Sequence, residues 1–308
     1  MTNEQEGGLT SPREGDLPDQ RLAARPSSFP VPLTSGFIET TEYTRFAQVC
    51  QVCQRYRSNA VCVGNRGVGK TEAARQYAQW DLVEPFFLTL GRGIEPYFSP
   101  DCPPPHTVYY WPRVTLTPKG FERDLALLLW SAQMLVDSAR GINRDERPLS
   151  SRIRPDGIDL LVVDEVDRLP SGCLEVLRDF RARYRFGLML LVRPGGLPRL
   201  WHIGPLASQG GMVHLFQSLS HGATRQILER QVQQWGVKVE EKGLEVFVDR
   251  TRGHFATMSN VLEQLSYLID YRGVVTLTGE IVDLAVSMIM TKQTIQKVQG
   301  YFQKIESI

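Results

Sequence analysis

The chain has 308 residues, 42% apolar and 22% charged, the balance of an ordinary globular protein with room for one large domain or two small ones. Its 35 basic and 34 acidic side chains leave a net charge of +1, which excludes holding nucleic acid or an anionic membrane by bulk charge and leaves any such contact to a local patch. No apolar run approaches the roughly 18 residues of a membrane span, Met1–Pro30 lacks the apolar stretch of a secretory signal, and five scattered cysteines favour a reducing, cytoplasmic setting over a disulfide framework.

In chain order, residues 1–36 are rich in Gly, Pro, Ser, Thr and charge, and read as a disordered tail. Thr41 to Arg57 is predicted to be a helix, with Phe46, Val49, Cys50 and Cys53 on one apolar face. Ala60–Val63 is a short buried strand, and Lys70 to Trp80 a helix. Residues 91–106 carry many Gly and Pro and read as a loop, Thr107 to Trp111 as a strand, and Thr117 as the cap of a long helix reaching Ala139. A charged linker over 141–157 precedes a second buried strand, Ile158–Val163. Ser171 is expected to cap a helix running to about Tyr184. Strands follow at Leu188–Val192 and Met212–Phe216, then helices over Thr224–Gln234, Glu241–Thr251, Thr257–Tyr271 and Gly279–Met290. Apolar strands alternating with helices imply an α/β fold with a parallel sheet, followed by a helical unit.

One segment carries the strongest chemistry: Gly64-Asn65-Arg66-Gly67-Val68-Gly69-Lys70-Thr71 fills the pattern GxxxxGK[ST], between a strand and a helix. Glycine permits close backbone approach to a phosphate chain, and the loop and helix N-terminus supply N–H donors. Lys70 would reach the β and γ phosphates of ATP and the Thr71 hydroxyl would hold Mg²⁺. Further on, Leu160-Leu161-Val162-Val163 ends in Asp164-Glu165. In a Walker B arrangement Asp164 holds the Mg²⁺ and Glu165 polarises the attacking water, so Lys70 and Glu165 are the candidate catalytic residues. Adjacent Asp-Glu, without a guanine-selecting NKxD element, favours ATP over GTP.

Cys50-x-x-Cys53 has no second pair to complete a zinc site and lies on the apolar helix face, so it reads as core. Arginine outnumbers lysine 28 to 7, which suits planar phosphate contacts. Two basic segments stand out. Arg178, Arg181 and Arg185 share one helix face, which is either a solvated surface or a phosphate or subunit contact. Arg113 and Lys119 flank a turn that opens a helix, a geometry that also suits nucleic-acid phosphates.

The segment Phe37-Ile38-Glu39-Thr40-Thr41-Glu42-Tyr43, the helix ending Cys53-Gln54-Arg55-Tyr56-Arg57, the residues Ala73–Ala78 after the P-loop and Val-Asp-Glu-Val-Asp-Arg-Leu at 163–169 together resemble the AAA+ ATPases of mobile elements, the transposition regulators of the Mu B, TniB and TnsC type. The resemblance runs from about Phe37 to Met290. It implies an AAA+ P-loop NTPase: a sheet ordered 5-1-4-3-2 with helices on both faces in residues 37–219, and a small helical lid with a C-terminal helix in 220–308. It implies ATP-dependent self-association into a ring or filament on double-stranded DNA, with recruitment or activation of a DDE-type transposase. It places DNA contacts at Arg113 and Lys119 rather than at 178–185. The alternative is an AAA+ sensor or adaptor, of the phage-defence kind, with little or no DNA role.

Three departures from that family imply slow hydrolysis. The strand Leu188–Val192 is followed by Arg193-Pro194 rather than a small polar residue. Gln209 occupies the place of the arginine that reaches a neighbour's ATP, and Ala256 that of the lid arginine after Gly253-His254-Phe255. Arg193 or Arg199 is a possible substitute for the missing arginine.

Overall fold

The computed structural model describes residues 37–88, 106–140, 158–201 and 211–289. The expected tail, most of the 91–106 loop, the 141–157 linker, Cys102 and Gln209 lie outside the described residues.

The chain enters through α1, Thr41–Tyr56, whose first turn is capped by the Thr40 hydroxyl accepting from the Tyr43 N–H at 3.1 Å. It ends on Arg57 in the left-handed region, φ 51°. The Arg57 guanidinium anchors that turn by donating to Asp159 Oδ1 at 2.5 Å and to the Ile158 carbonyl at 3.0 Å. β1, Asn59–Val63, follows, and then α2, Lys70–Tyr77.

Here the structure corrects the single helix expected to reach Trp80. The chain turns through Gln79 at φ 47°, and Trp80 opens a separate helix, α3, Trp80–Leu88. Trp80, Val83, Phe86 and Phe87 bury one face of α3 although Pro85 lies inside it. Proline lacks an N–H and reads locally as a breaker, and the apolar face outweighs that cost.

β2, Thr107–Tyr110, leads to α4, Pro118–Ala139, which begins where expected: the Thr117 hydroxyl accepts from the Gly120 N–H at 3.1 Å and Pro118 occupies the first turn. β3, Leu160–Val163, is followed by a 3₁₀ turn at Val166–Arg168 and by α5, Ser171–Tyr184. The residue at the N-cap is Pro170, not Ser171, and no side chain caps that end. β4, Gly187–Val192, a 3₁₀ turn at Pro194–Gly196, α6, Leu197–Trp201, and β5, Met212–Leu215, complete this part.

The C-terminal helices are α7, His221–Trp235, α8, Glu241–Thr251, α9, Phe255–Arg272, and α10, Gly279–Met288. α7 starts three residues earlier than its apolar pattern suggests, because Ser220 Oγ accepts from the Ala223 N–H at 3.2 Å. Two-residue strands β6, Lys238–Val239, and β7, Thr276–Leu277, pair in parallel and pin the loops of this bundle.

The main sheet has five parallel strands in the order β2-β3-β4-β1-β5, the order 5-1-4-3-2 read from its other edge. Every residue of β1, β2, β3 and β4 is buried. Successive strand residues face opposite sides, so this burial requires cover on both faces. The apolar residues fall into two clusters, one from Phe46 to Phe216 around the sheet and one from Leu219 to Ala285 among α7–α10. β1, β3 and β4 end at the same edge of the sheet, facing the start of α9.

Candidate functional site

The loop leaving β1 is shaped by glycine. Gly67 and Gly69 sit at φ 78° and 107°, where a side chain is strained, and a Cβ on Gly64 would lie 2.6 Å from the Phe216 carbonyl oxygen. The Lys70 ammonium is folded into this loop, donating to the Gly64 and Asn65 carbonyls at 2.7 and 2.8 Å. Burial lowers the Lys70 pKa and nearby Arg193 adds to that, against the raising influence of Cys62, Asp164 and Asp167.

β3 brings the two acids to the same place. Asp164 is buried, and its Oδ2 accepts from the Thr71 hydroxyl at 2.6 Å and from Tyr109 OH at 2.9 Å. Burial, with the Asp164 charge next, pushes the Tyr109 phenol up, so it remains a donor. Asp164 Oδ1 accepts the Glu165 N–H at 2.7 Å. Glu165 itself takes the left-handed conformation, φ 42°, which costs a non-glycine residue on the order of 1 kcal/mol and aims its side chain out of the strand line. Its Oε2 accepts from the Trp111 indole N–H at 3.0 Å and from Arg168. Burial opposes ionisation of Glu165, yet the Arg168 and Trp111 hydrogen bonds and the charges of Arg168 and Arg193 prevail and hold its carboxyl below the usual range.

Beside these groups lies a cavity of about 260 Å³, which Glu165 reaches directly. Lys70, Thr71, Glu165, Asp167 and Arg193 face it from the sheet side, and Phe255, Ala256, Ser259 and Asn260 from α9. The lid side also grips the loop directly. The Ala256 N–H donates to the Gly67 carbonyl at 2.9 Å, and His254 Nε2 lies 2.7 Å from the Arg66 carbonyl. A carbonyl only accepts, so the His254 proton sits on Nε2; Nδ1 then accepts from the Thr257 hydroxyl at 2.8 Å and from its N–H at 3.4 Å.

The structure thus brings Gly64–Thr71, Asp164 and Glu165 together. Arg113 and Lys119 both face solvent on the β2–α4 segment, and Arg113 is ion-paired with Asp124. The run 178–185 does not form a shared basic face. Arg178 pairs with Glu175 at 2.6 Å, Arg183 lies over the Phe180 and Tyr184 rings, and half-buried Arg181 turns inward to donate to the Arg57 carbonyl at 2.9 Å. Cys50 and Cys53 are free thiols with no exposed surface, in the apolar core around the sheet; burial raises both, Cys53 to about 11.

Tyr109, Trp111, Asp167, His254, Ser259 and Asn260 are site residues that sequence reasoning missed. The signal for Asp167 was present, two residues after Glu165 in the quoted 163–169 stretch. The others depend on the strand order and on where α9 docks.

Comparison with known proteins agrees with this architecture. Residues 53–200 match the family described as "AAA domain". A Staphylococcus aureus protein described as "Potential ATP-binding protein" is 29% identical, over 81% of this chain and 95% of its own length. Among solved structures, the Thermotoga maritima RuvB Holliday junction branch migration motor superposes with a TM-score of 0.51 at 16% identity, covering 84% of this chain and 72% of that one. The ADP form of Aeropyrum pernix ORC2 gives 0.52 at 16%, covering 83% and 70%. The chain has the AAA P-loop NTPase fold.

Proposed function

We propose that this chain binds ATP between the strand ends and the lid, and hydrolyses it. One observation carries the reading: Lys70 and Thr71 from the glycine loop share one cavity with Glu165 from the end of a strand far along the chain, and Asp164 beside it accepts directly from the Thr71 hydroxyl at 2.6 Å. The Staphylococcus aureus relative's description as potentially ATP-binding agrees with it.

The chemistry follows from the side chains. Lys70 is placed to exchange its two loop carbonyls for phosphate oxygens. The Thr71 hydroxyl and Asp164 carboxylate are hard oxygen donors converging on one point, a set that fits Mg²⁺. Mg²⁺ held there would offset phosphate charge. Glu165 is ionised at neutral pH and orients a water toward the γ-phosphorus. The water oxygen bonds to that phosphorus as the bond to the β–γ bridging oxygen breaks. The electron pair leaves on ADP, and the water proton ends on inorganic phosphate. Glu165 must first leave Trp111 and Arg168, which slows turnover. Glu165→Gln should keep ATP affinity within about threefold while lowering steady-state turnover about 10²-fold or more, since the amide keeps shape and loses the charge. Turnover at the parent rate would show that another group orients the water.

The finer reading treats 37–219 as the nucleotide-binding domain and 220–308 as its lid, in a cytoplasmic regulator of a mobile element. ATP then drives assembly as a ring or filament on double-stranded DNA, which recruits or activates a DDE-type transposase. Its support is the resemblance in 37–57 and 163–169 and the exposed Arg113–Lys119 segment. No described helix is long and apolar enough to cross a membrane. The second reading, a sensor or adaptor without a DNA role, is favoured by one observation: Asp124 already compensates Arg113. DNA capture with ATP, ADP or no nucleotide separates the two. If DNA is bound, Arg113→Ala with Lys119→Ala should flatten the log–log salt dependence by about one to two units without changing sequence preference.

A further inference from the structure

We propose that Arg193 is the cation that binds the terminal phosphate in its own chain's site, and that Asp167 holds it aside until a nucleoside triphosphate arrives. The assignment rests on the ATP reading above and names the group that replaces the charge absent from the lid.

Position comes first. Arg193 follows β4 directly and lines the same cavity as Lys70 and Glu165. An arginine that serves a neighbouring subunit has to project away from its own cavity; this one faces into it. Its field is felt by both of those groups, lowering the pKa of each.

The second observation is the quality of its present partner. Arg193 Nε and Nη2 both donate to one oxygen, Asp167 Oδ2, at 2.8 and 2.5 Å. The other oxygen, Oδ1, is buried and has no hydrogen-bond partner among the described residues. A guanidinium matches two oxygens with two parallel N–H groups, so two donors crowded on one oxygen leave its fork half used. The Arg193 side chain is 47% exposed while Asp167 is 6% exposed, so the arginine is the member free to move. Asp167 packs its Cβ against Gly196, where a methyl group would lie 2.2 Å from it. A terminal phosphate offers three oxygens and up to two charges, and outcompetes a single carboxylate oxygen for that fork.

The opposite wall sharpens the need. α9 presents Phe255, Ala256, Ser259 and Asn260, all uncharged. Arg199 does not fill the gap: it is absent from the cavity lining, and its Nη1 donates to the Asp167 carbonyl at 3.2 Å, bracing the 3₁₀ turn. During hydrolysis Arg193 would act on the equatorial oxygens of the transferring phosphoryl group, where negative charge is spread while the new P–O bond forms and the bridging bond breaks.

The test is equilibrium binding of ATP and ADP to the parent, Arg193→Ala and Asp167→Asn, followed by turnover in mixtures. Arg193→Ala should weaken ATP about 10- to 100-fold and leave ADP within about threefold, because only ATP carries the terminal phosphate. Asp167→Asn should tighten ATP severalfold by releasing the arginine. A merely structural ion pair would make both variants lose affinity for both nucleotides, and that result overturns the proposal. Turnover of Arg193→Ala should fall about 10²–10³-fold. Mixing it with Lys70→Ala should restore nothing if the arginine serves its own site. Recovery in the mixture would mean that Arg193 crosses to a neighbour, which also overturns the proposal. Failure of the parent to bind either nucleotide appears in the first titration and would sink the underlying ATP reading separately.

Discussion

The two walls of the cavity are built from different chemistry. The sheet wall carries the charges: Arg66, Lys70, Glu72, Glu165, Asp167 and Arg193 sit near the ends of strands, on the loops beyond them or on the helix that follows. The lid wall carries none among the described lining residues. Its strongest contacts go to the loop backbone, through His254 to the Arg66 carbonyl and Ala256 to the Gly67 carbonyl. The difference separates two jobs. On the proposed ATP reading, the sheet wall would offset phosphate charge, a task that requires rigid placement by buried parallel strands. The lid wall fixes the shape of the glycine loop through its backbone carbonyls. A lid built this way senses whether the loop is in its binding conformation more than it senses the phosphates themselves.

The largest expected effect tests that division by removing one group from each wall. Lys70→Ala should reduce affinity for a fluorescent ATP analogue by about 100-fold or more, because it deletes a buried cation facing phosphate. Asn260→Ala, on the lid wall, should cost about tenfold at most, the worth of one neutral hydrogen bond. Equal losses would mean that the lid recognises phosphate after all, and the division of labour would fail.

That division was only half legible in the sequence. The sheet wall could be read because phosphate chemistry demands certain residue types at tight spacing, as in Gly64–Thr71, and because Asp164-Glu165, an ordinary strand ending by itself, gains meaning from the P-loop ahead of it. Caps such as Thr117 were equally plain, since capping is a local hydrogen bond. α3 was hidden by Pro85, and β6 and β7 are too short to show any period. Trp111 and Tyr109 were invisible for a topological reason. β2 comes to lie beside β3 with Tyr109 opposite Val162 and Tyr110 opposite Val163, and only that register carries Tyr109 to Asp164 and Trp111 to Glu165. The resemblance implied that β2 lies beside β3, but no local pattern encodes the register between them. The inward turn of Arg181 was likewise unreadable from helix spacing, because the acceptor is the Arg57 carbonyl at the far end of α1.

A second, intermediate effect sharpens the role of the lid. Gly67→Ala combines left-handed strain at φ 78° with overlap between the new methyl group and the His254 ring. It should weaken nucleotide binding about tenfold, from strain of roughly 1–2 kcal/mol. Removing the ring relieves the overlap and leaves the strain. On a His254→Ala background the same substitution should therefore cost less, with a coupling of at least about 0.5 kcal/mol by double-mutant cycle. Strict additivity would show that the lid and the loop do not communicate through this contact.

The smallest effect asks whether the two halves of the molecule also differ in their response to acid. His214 lies on β5 in the sheet half, buried between the Phe46 and Phe216 rings, with Nε2 unpaired. Burial lowers its pKa, and the Arg45 charge adds to this against the opposing Glu42. In the unfolded chain this imidazole takes up its proton near the ordinary value of about 6.5, while in the folded chain it stays neutral to lower pH. The unfolded state then binds more protons below pH 6.5. Stability from this group is full above that pH and is lost as pH falls from there toward the depressed folded value, by at most about 1.4 kcal/mol per unit. Among the described buried residues of the lid cluster there is no histidine, so the loss should fall on the sheet half. Hydrogen exchange at pH 7.5 and 5.5, corrected for intrinsic rates, should show protection falling in β1 and β5 more than in α8 and α9. His214→Leu removes the unpaired nitrogen and should flatten the pH dependence of the urea midpoint between 6.5 and 5.5. An unchanged slope would place the acid sensitivity on the carboxylates instead, and the two halves would then be expected to loosen together.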